Sequence, residues 1–297
     1  MMQARQIAEL QNYFAPRVIG LDPFDLENVL ARFEMNTTVV RHQLSPTAVS
    51  AVFDALYDIM GKVMNVPVDK LLGGAVRKTF GLARTVYRDA PDEMAEEAVK
   101  LKELDYKMVT VQVGESPELD IQRVVSVRKA VGDHYPIEVE AAGGYSAPVA
   151  IKTLKEMEQY SIESVEQPRL ATDLDGMAEV ARAIDTPVII DEGAITLSDV
   201  MEIIRKRAAD IICLKPAKSG GIYMTKKMAA VAEAGAIPCS MGSRHPFGIG
   251  TAVIHHFVAS TPCVNPPIGY GGPLELERFV DDIVVNPITV RNGEGFC

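Results

Sequence analysis

The chain has 297 residues, of which 47% are hydrophobic and 24% are charged, and its formal net charge is −10. This length accommodates one large domain and a smaller one, and the composition is typical of a soluble globular protein. The acidic balance argues against a nucleic-acid partner. The longest apolar runs have the length of buried strands, so no membrane span is predicted. The first residues lack the apolar core of an export signal, and four widely spaced cysteines indicate reduced thiols in a cytoplasmic protein.

Residues 1–78 are predicted to form a mainly helical first domain. Ser45 and Pro46 are a helix start signal, because a capping hydroxyl is followed by proline at the first helical position. The apolar residues that follow recur at helical spacing. This helix is expected to end after Asn65, since Pro67 cannot continue it.

Residues 79–297 are predicted to form a second domain, in which short apolar runs alternate with amphipathic stretches. The predicted helices span 91–104, 117–131, 147–159, 173–184, 197–206, 221–234 and 248–259. Short strands joined by such helices indicate parallel pairing, because parallel strands need a crossover connection. Seven successive units, with an eighth strand near 265–269, favour a closed barrel over an open sheet. A last apolar run, at 284–290, is predicted to be a strand that returns to the first domain.

Three carboxylates stand at the ends of three successive predicted strands: Glu140, Glu166 and Asp191. In closed barrels of this kind the functional groups lie at the C-terminal strand ends, so these side chains are expected to meet at one mouth. Like charges in a partly buried mouth repel one another, and three hard oxygen ligands suit Mg²⁺. The alternative is that these carboxylates are solvated or paired with lysines and arginines of the loops.

Lys215 ends the next predicted strand and is a candidate proton carrier. The competing interpretation makes it an ion-pair partner of Asp191 or Glu192. Lys215 accepts a proton only where its pKa falls toward neutrality; burial and a nearby Mg²⁺ lower that pKa, and the neighbouring carboxylates raise it. Thr110 and Gln112 share one face of the second strand, and neither is a useful general base because neither titrates near neutral pH.

Several segments resemble the mandelate racemase and muconate-lactonizing enzymes of the enolase superfamily. The helix that links the family's capping domain to its barrel resembles LSPTAVSAVFDALYDIMGKVMNVPVDKLLGG. The segments IEVEAAGG, SVEQP, IIDEG, LKPAKSGGI and IPCSMGSRHPFGIGTA then follow in the family's order and spacing. The resemblance covers nearly the whole chain and is nearest to the muconate-lactonizing branch. It implies an α/β fold: a TIM-type (β/α) barrel with a partial, mainly helical N-terminal capping domain.

The resemblance also implies a chemistry. The family binds Mg²⁺ with three barrel carboxylates, removes a proton next to a substrate carboxylate, and stabilises the enolate on the metal. By position, Glu166 and Asp191 match the second and third metal ligands. Glu140 stands where the first ligand is usually an aspartate. Lys215 matches the sixth-strand lysine of the muconate-lactonizing branch.

The sequence departs from the family's pattern at several positions. The family's second-strand Lys-x-Lys is Thr110-Val111-Gln112 here, its asparagine after the first ligand is Ala142, and its seventh-strand acid falls at Pro246. Racemisation with two bases is therefore not expected unless His245 replaces the missing one; the alternative is a loop histidine bonded to backbone. The sequence begins after the capping domain's opening strands and stops before the family's glycine-rich tail. Both an incomplete reading frame and a shortened protein fit this.

The expected function is that of a lyase or isomerase. It would dehydrate or cycloisomerise a small-molecule carboxylate, with Lys215 and His245 as candidate catalytic residues and Mg²⁺ as the cofactor. The alternative is a non-catalytic or metal-free homologue. Without the opening strands, the apolar surface around Val49, Phe53 and Tyr57 is expected to be less covered than in a complete family member, and a homo-oligomer would bury it.

Overall fold

The computed structural model describes residues 2–33, 44–243, 246–269, 281–286, 288, 290 and 292–296. Short helices open the chain: α1 (Met2–Glu9), which continues as a π-helical turn (Leu10–Phe14), α2 (Ala15–Val18) and α3 (Leu26–Arg32). The long helix α4 (Pro46–Met64) and the single turn α5 (Val68–Leu71) then lead to the first strand.

Helix α4 begins and ends where the sequence predicts. Asn65 ends it in the left-handed region, at φ 53°, a conformation that asparagine tolerates at a helix end. Ser45 holds the N-cap position, but its hydroxyl accepts no hydrogen bond from the helix backbone. It accepts instead from Gln6 Nε2 at 3.3 Å, so the expected capping bond is replaced by a contact with α1.

The rest of the chain alternates strands with helices. The strands are β1 (Thr79–Val86), β2 (Met108–Gln112), β3 (Ile137–Glu140), β4 (Ser164–Glu166), β5 (Val188–Ile190), β6 (Ile211–Leu214), β7 (Cys239–Met241), β8 (Ile268–Gly269) and β9 (Glu294–Phe296). The helices are α6 (Pro91–Glu103), α7 (Pro117–Val131), α8 (Ala147–Met157), α9 (Leu174–Ala183), α10 (Leu197–Lys206), α11 (Pro216–Ser219), α12 (Gly221–Ala234) and α13 (Gly248–Ser260). Among the described residues, no helix combines the length and apolar character needed to cross a membrane.

Strands β1 to β8 form one parallel sheet in the order β7-β6-β5-β4-β3-β2-β1-β8. The sheet closes between β7 and the segment before β8. There Cys239 forms a parallel bridge with Val264, and the Asn265 N–H donates to the Cys239 carbonyl at 2.9 Å. The helices cover the outside of this nearly closed ring. The predicted TIM-type (β/α) barrel with a helical N-terminal cap is therefore confirmed.

The last strand lies elsewhere than predicted. β9 pairs antiparallel with the start of β1, whereas the described residues of 284–290 form bends and irregular backbone, so the strand predicted there is wrong. Side-chain bonds give the reason. The Asp282 carboxylate accepts from the Gly248 N–H at 2.9 and 3.1 Å, which draws this segment to the start of α13. Pro287 also has no N–H to donate to a ladder.

The cap has an apolar core of its own. Val49 and Phe53 are fully buried and Tyr57 is 7% exposed, so this face of α4 is covered by the chain itself; that it is less covered than in a complete family member stays a prediction. Aromatic side chains of the opening segment cover it. Phe14 packs edge-on against Phe33, with ring centroids 4.7 Å apart, and Phe33 packs in the same way against Phe53 at 5.9 Å.

Asp54 joins the cap to the barrel. Its Oδ1 accepts from the Ile222 N–H of α12 at 2.8 Å, and its Oδ2 accepts from the Ser50 hydroxyl at 2.7 Å. Burial raises the pKa of the Asp54 carboxyl to about 6, although both hydrogen bonds act in the opposite direction. The ionised form is therefore disfavoured at this junction.

Replacing Asp54 with asparagine is expected to stabilise the protein above pH 7. The folded-state pKa exceeds the ordinary value of 3.8, so the folded form holds the proton more tightly, and wild-type stability falls as pH rises from about 4 through about 6. The gain for Asp54→Asn should approach about 2–3 kcal/mol at pH 7.5 and shrink toward pH 4.5. Urea unfolding at both pH values measures it. Asp58→Asn, one turn later at an exposed position, is the control and should show no such change. Equal stability of Asp54→Asn and wild type at both pH values would contradict the expectation.

The loops after β2 and β3 meet at one end of the barrel. Gly114 has φ +98°, and a Cβ there would lie 2.3 Å from the Ala141 carbonyl oxygen, so this approach requires glycine. The fully buried Asp120 carboxylate accepts from the Gly114 N–H at 3.0 Å and from the Tyr145 hydroxyl at 2.6 Å. Its other oxygen pairs with Arg123 Nη1 at 2.8 Å. One buried ion pair therefore organises both loops.

Candidate active site

The four strand-end residues singled out in the sequence lie at one mouth of the barrel. Glu140 and Glu166 end β3 and β4 and are register partners. Asp191 follows β5, and Lys215 follows β6. The Lys215 ammonium forms ion pairs with Asp191 and, at 3.7 Å, with Glu166. The structure thus brings together Glu166, Asp191 and Lys215, with Glu140 beside them.

The tightest group of ligand atoms differs from the expected set. Glu166, Asp191 and Cys213 each offer an atom within 4.8 Å of the other two. Glu140 is not part of this group, and its Oε2 accepts a hydrogen bond from Gln112 Nε2 at 3.1 Å. Its longer side chain and this bond hold the carboxylate toward β2.

Lys215 is largely buried, with 13% of its side chain exposed. Burial alone would lower the pKa of its ammonium, but the neighbouring Cys213, Glu166 and Asp191 and the hydrogen bond to Asp191 raise that pKa well above its usual range. The influences that raise the pKa therefore outweigh the one that lowers it. In this arrangement Lys215 is a charged partner of two carboxylates, as the ion-pair interpretation requires.

Asp191 is held from both sides. Lys215 contacts its Oδ2, and Lys218 contacts its Oδ1. Burial pushes the pKa of Asp191 upward, but the charges of Lys218 and Lys215 overcome this and hold it below its usual range. The carboxylate is therefore ionised and fixed in orientation.

Carboxyl groups outnumber ammonium groups at this mouth. The carboxyl groups are Glu140, Glu166, Asp191 and Glu192, and the ammonium groups opposite them are Lys215 and Lys218. Burial raises the pKa of Glu166 well above its usual range, and it raises the pKa of Glu138, which stands two residues earlier on β3 and deeper in the barrel, to about 7. Glu192 Oε2 is buried and accepts no hydrogen bond from the described residues. Crowded oxygen donors whose ionised forms are disfavoured by burial, together with an unpaired buried oxygen, fit a hard divalent cation such as Mg²⁺.

The second strand presents hydrogen-bond donors where a base would be needed. The Thr110 hydroxyl donates to Glu138 Oε1 at 3.1 Å, and Gln112 donates to Glu140. Both side chains therefore face the barrel interior, as the alternation along the strand predicts. Neither can accept a proton near neutral pH.

A cavity of about 230 Å³ lies beside Lys215. The cap contributes Ser50 and Asp54 to its wall, and Pro246 lines it from the segment after β7. Pro246 thus lies near Lys215 but offers no acidic group. His245, the candidate second base, lies outside the described residues.

Two buried groups in or below this site were not singled out in the sequence: Lys218, which contacts Asp191, and Glu138, which lies deeper in the barrel. Lys218 stands three residues after Lys215, inside the LKPAKSGGI segment, and its side chain is 4% exposed. Glu138 stands two residues before Glu140 on the same face of β3, so the alternation of the strand already pointed to it.

The sequence matches two family profiles, one over each part of the chain. Residues 2–73 match the profile described as "Mandelate racemase / muconate lactonizing enzyme, N-terminal domain", and residues 93–295 match "Enolase C-terminal domain-like".

Similar proteins include several isomerases. N-succinyl-L-Arg/Lys racemase of Bacillus cereus is 30% identical over 96% of this chain and 76% of its own length. L-Ala-D/L-Glu epimerase of Clostridium acetobutylicum is 32% identical over 93% of this chain and 75% of its own. A crystal structure of the dipeptide epimerase from Enterococcus faecalis, complexed with Mg and the dipeptide L-Leu-L-Tyr, superposes with a TM-score of 0.88 at 27% identity. The superposition covers 99% of this chain and 80% of the epimerase chain. The chain thus spans about three quarters of the length of these curated relatives.

Proposed function

Since this chain belongs to the mandelate racemase/muconate lactonizing enzyme family of the enolase superfamily, we propose that it is a lyase or isomerase of small carboxylates. It acts by moving a proton at the carbon next to the substrate carboxylate. The observation that carries the proposal is the contact of the buried Lys215 ammonium with Glu166 and Asp191 at the barrel mouth. This contact joins a proton-carrying amine to two carboxylates suited to a metal.

Glu140, Glu166 and Asp191 are proposed to hold a Mg²⁺ ion. When bound, Mg²⁺ supplies positive charge that stabilises negative charge developing on the substrate carboxylate. Two features support this assignment: the excess of carboxylates over ammonium groups at the mouth, and the oxygen atoms of Glu166 and Asp191 that lie within 4.8 Å of each other.

Lys215 Nζ is proposed to carry the proton. Its charged form, which Glu166 and Asp191 favour, can donate a proton. Its neutral form, needed to accept one, is favoured when additional positive charge offsets those carboxylates. Lys215 contacts both carboxylates and also lines the cavity, which supports the proposal that its ammonium faces the substrate.

One base on one side of the substrate supports dehydration or cycloisomerisation better than racemisation. Racemisation in this family's manner needs a second base on the opposite face, and Thr110 and Gln112 occupy the second strand there. His245 is the candidate second base of the seventh-strand loop. With Lys215 alone, a dehydration can proceed on one face, since the lysine takes the proton and returns it to the hydroxide that departs as water. In a cycloisomerisation, the ring closes by addition to a double bond and the Lys215 ammonium donates a proton to the resulting enolate.

The experiment is α-proton exchange in deuterated water, followed by ¹H NMR, across hydroxy acids, amino-acid derivatives and muconates. We expect exchange or turnover with at least one of these classes in the presence of Mg²⁺, and its loss when EDTA removes the metal. No exchange with any carboxylate, together with no measurable Mg²⁺ binding, would instead favour the non-catalytic homologue.

Three broader proposals accompany this function. The domains are proposed to divide at residue 78, with 1–78 as the cap and 79–297 as the barrel. The protein is proposed to work in the cytoplasm and to form a homo-oligomer. For the oligomer, the exposed side chains of Ile59 and Val63 on α4, 44% and 68% exposed, supply an apolar face for a second copy. Sedimentation showing only monomer at micromolar concentration would contradict the oligomer.

A further inference from the structure

Lys218 lies on the one-turn helix α11, directly after β6, and its ammonium is surrounded by oxygen atoms. It donates to Asp191 Oδ1, to the Asp191 carbonyl and, at 2.9 Å, to the Cys213 carbonyl. An ammonium has three N–H donors, so these contacts use all of them. The side chain is 4% exposed, and the bonds tie the end of β5 to the end of β6.

We propose that Lys218 is a positioning residue for Asp191, a resident cation that fixes this carboxylate in place before any metal binds. The proposal rests on the proposed function in one respect: it takes Asp191 to be a metal ligand. Oδ1 is committed to Lys218, so Oδ2 is the oxygen that faces Lys215 and the mouth. Lys218 thereby settles which oxygen of Asp191 is presented to a ligand.

Two roles of Lys218 are compatible with these contacts, and they differ in whether its positive charge matters. A purely structural lysine would join two strand ends through its hydrogen bonds alone. A resident cation also neutralises a carboxylate that is 2% exposed. Removing it would leave a buried negative charge with Lys215 as its remaining ammonium partner among the described residues. The site would then bind a divalent cation more strongly, because one positive charge that repels the cation from Asp191 has been removed.

The test compares full-length wild type, Lys218→Met and the matched control Lys226→Met. Lys226 is half-buried and donates to the Ser260 carbonyl and the Thr261 hydroxyl at 2.6 and 3.1 Å, with no carboxylate among those two partners. Thermal unfolding with and without Mg²⁺ gives Tm, and isothermal titration calorimetry gives the Mg²⁺ Kd.

We expect Lys218→Met to unfold at a lower temperature without Mg²⁺, to bind Mg²⁺ about tenfold more tightly than wild type, and to recover part of its Tm when Mg²⁺ is added. Lys226→Met should lose the same Tm with and without Mg²⁺.

Lys218→Gln keeps N–H donors for the carbonyls but removes the charge, and it replaces Lys218→Met if that variant does not fold. Tighter Mg²⁺ binding by Lys218→Gln supports the resident-cation role. Unchanged or weaker Mg²⁺ affinity in the Lys218 variants, with a Tm loss that Mg²⁺ does not reduce, overturns it. Wild type that binds no Mg²⁺ while a Lys218 variant does would contradict the proposed metal dependence and support the role of Lys218. Absence of binding in all of them contradicts both.

Discussion

Replacing Lys215 with alanine is expected to reduce α-proton exchange by about 10²–10⁴-fold while the barrel remains folded. The size of the loss follows from the proposed role of Lys215 as general acid and base, because no other described strand-end group that titrates suitably lies at the matched positions. Folding should survive because Lys218 still pairs with Asp191. The measurement is the exchange rate in deuterated water with Mg²⁺ present, alongside circular dichroism.

Lys215→Arg separates charge from proton transfer. Arginine keeps the positive charge beside Asp191 but does not release its proton in proteins, so this variant should lose exchange nearly as completely as Lys215→Ala. Activity retained in Lys215→Arg would show that the residue acts through its charge. Exchange that persists in Lys215→Ala would identify a different base, and His245 would be the first candidate.

Replacing Asp120 with alanine is expected to destabilise the fold by about 2–4 kcal/mol, because it leaves the buried Arg123 guanidinium with the exposed Glu115 as its remaining carboxylate partner among the described residues. Asp120 is fully buried, and the Arg123 side chain is 5% exposed. The substitution also removes the acceptor used by the Gly114 N–H and the Tyr145 hydroxyl. Urea unfolding of the purified variant measures the loss.

Two further variants set the scale of that measurement. Asp120→Asn retains one acceptor oxygen but not the charge, and it should fall between wild type and Asp120→Ala. Glu118→Ala, at an exposed position in the first turn of α7, should change stability by less than about 0.5 kcal/mol. A loss for Asp120→Ala no larger than for Glu118→Ala would show that the ion pair contributes little beyond its desolvation cost.

The barrel was predictable because its signals are local and repeated. Each short apolar run ends before a helix of ten to fifteen residues, and parallel strands joined in this way place their C-terminal ends at one mouth. The convergence of Glu166, Asp191 and Lys215 follows from that rule alone. The burial of Val49 and Phe53 was not predictable in the same way, because it depends on how the short helices α1 to α3 pack against α4.

The details of the site depend on tertiary contacts that no periodicity encodes. Lys218 lies on a helix of four residues, too short to show a face, so its direction toward Asp191 could not be read from the sequence. The hydrogen bond between Glu140 of β3 and Gln112 of β2 likewise joins two strands, and the sequence does not indicate it. The sequence predicted that burial and the neighbouring carboxylates would shift the pKa of Lys215 in opposite directions. The net direction depends on how close Glu166 and Asp191 lie to the ammonium, which only the structure gives.

The pairing of β1 has a consequence for synthesis on the ribosome. β1 is among the first barrel elements to be made, yet β8, its partner on one side, comes from the far end of the chain, as does β9, which pairs with the start of β1. Leu82 pairs with Ile268, and at about 5–20 residues per second the ribosome needs about 10–40 s to make the residues between them. Throughout that time one edge of β1 has no strand to bind, and an open strand edge invites pairing with other chains. The nascent barrel is therefore most vulnerable to aggregation before its last strands emerge, and a chaperone that covers β1 would act in that interval.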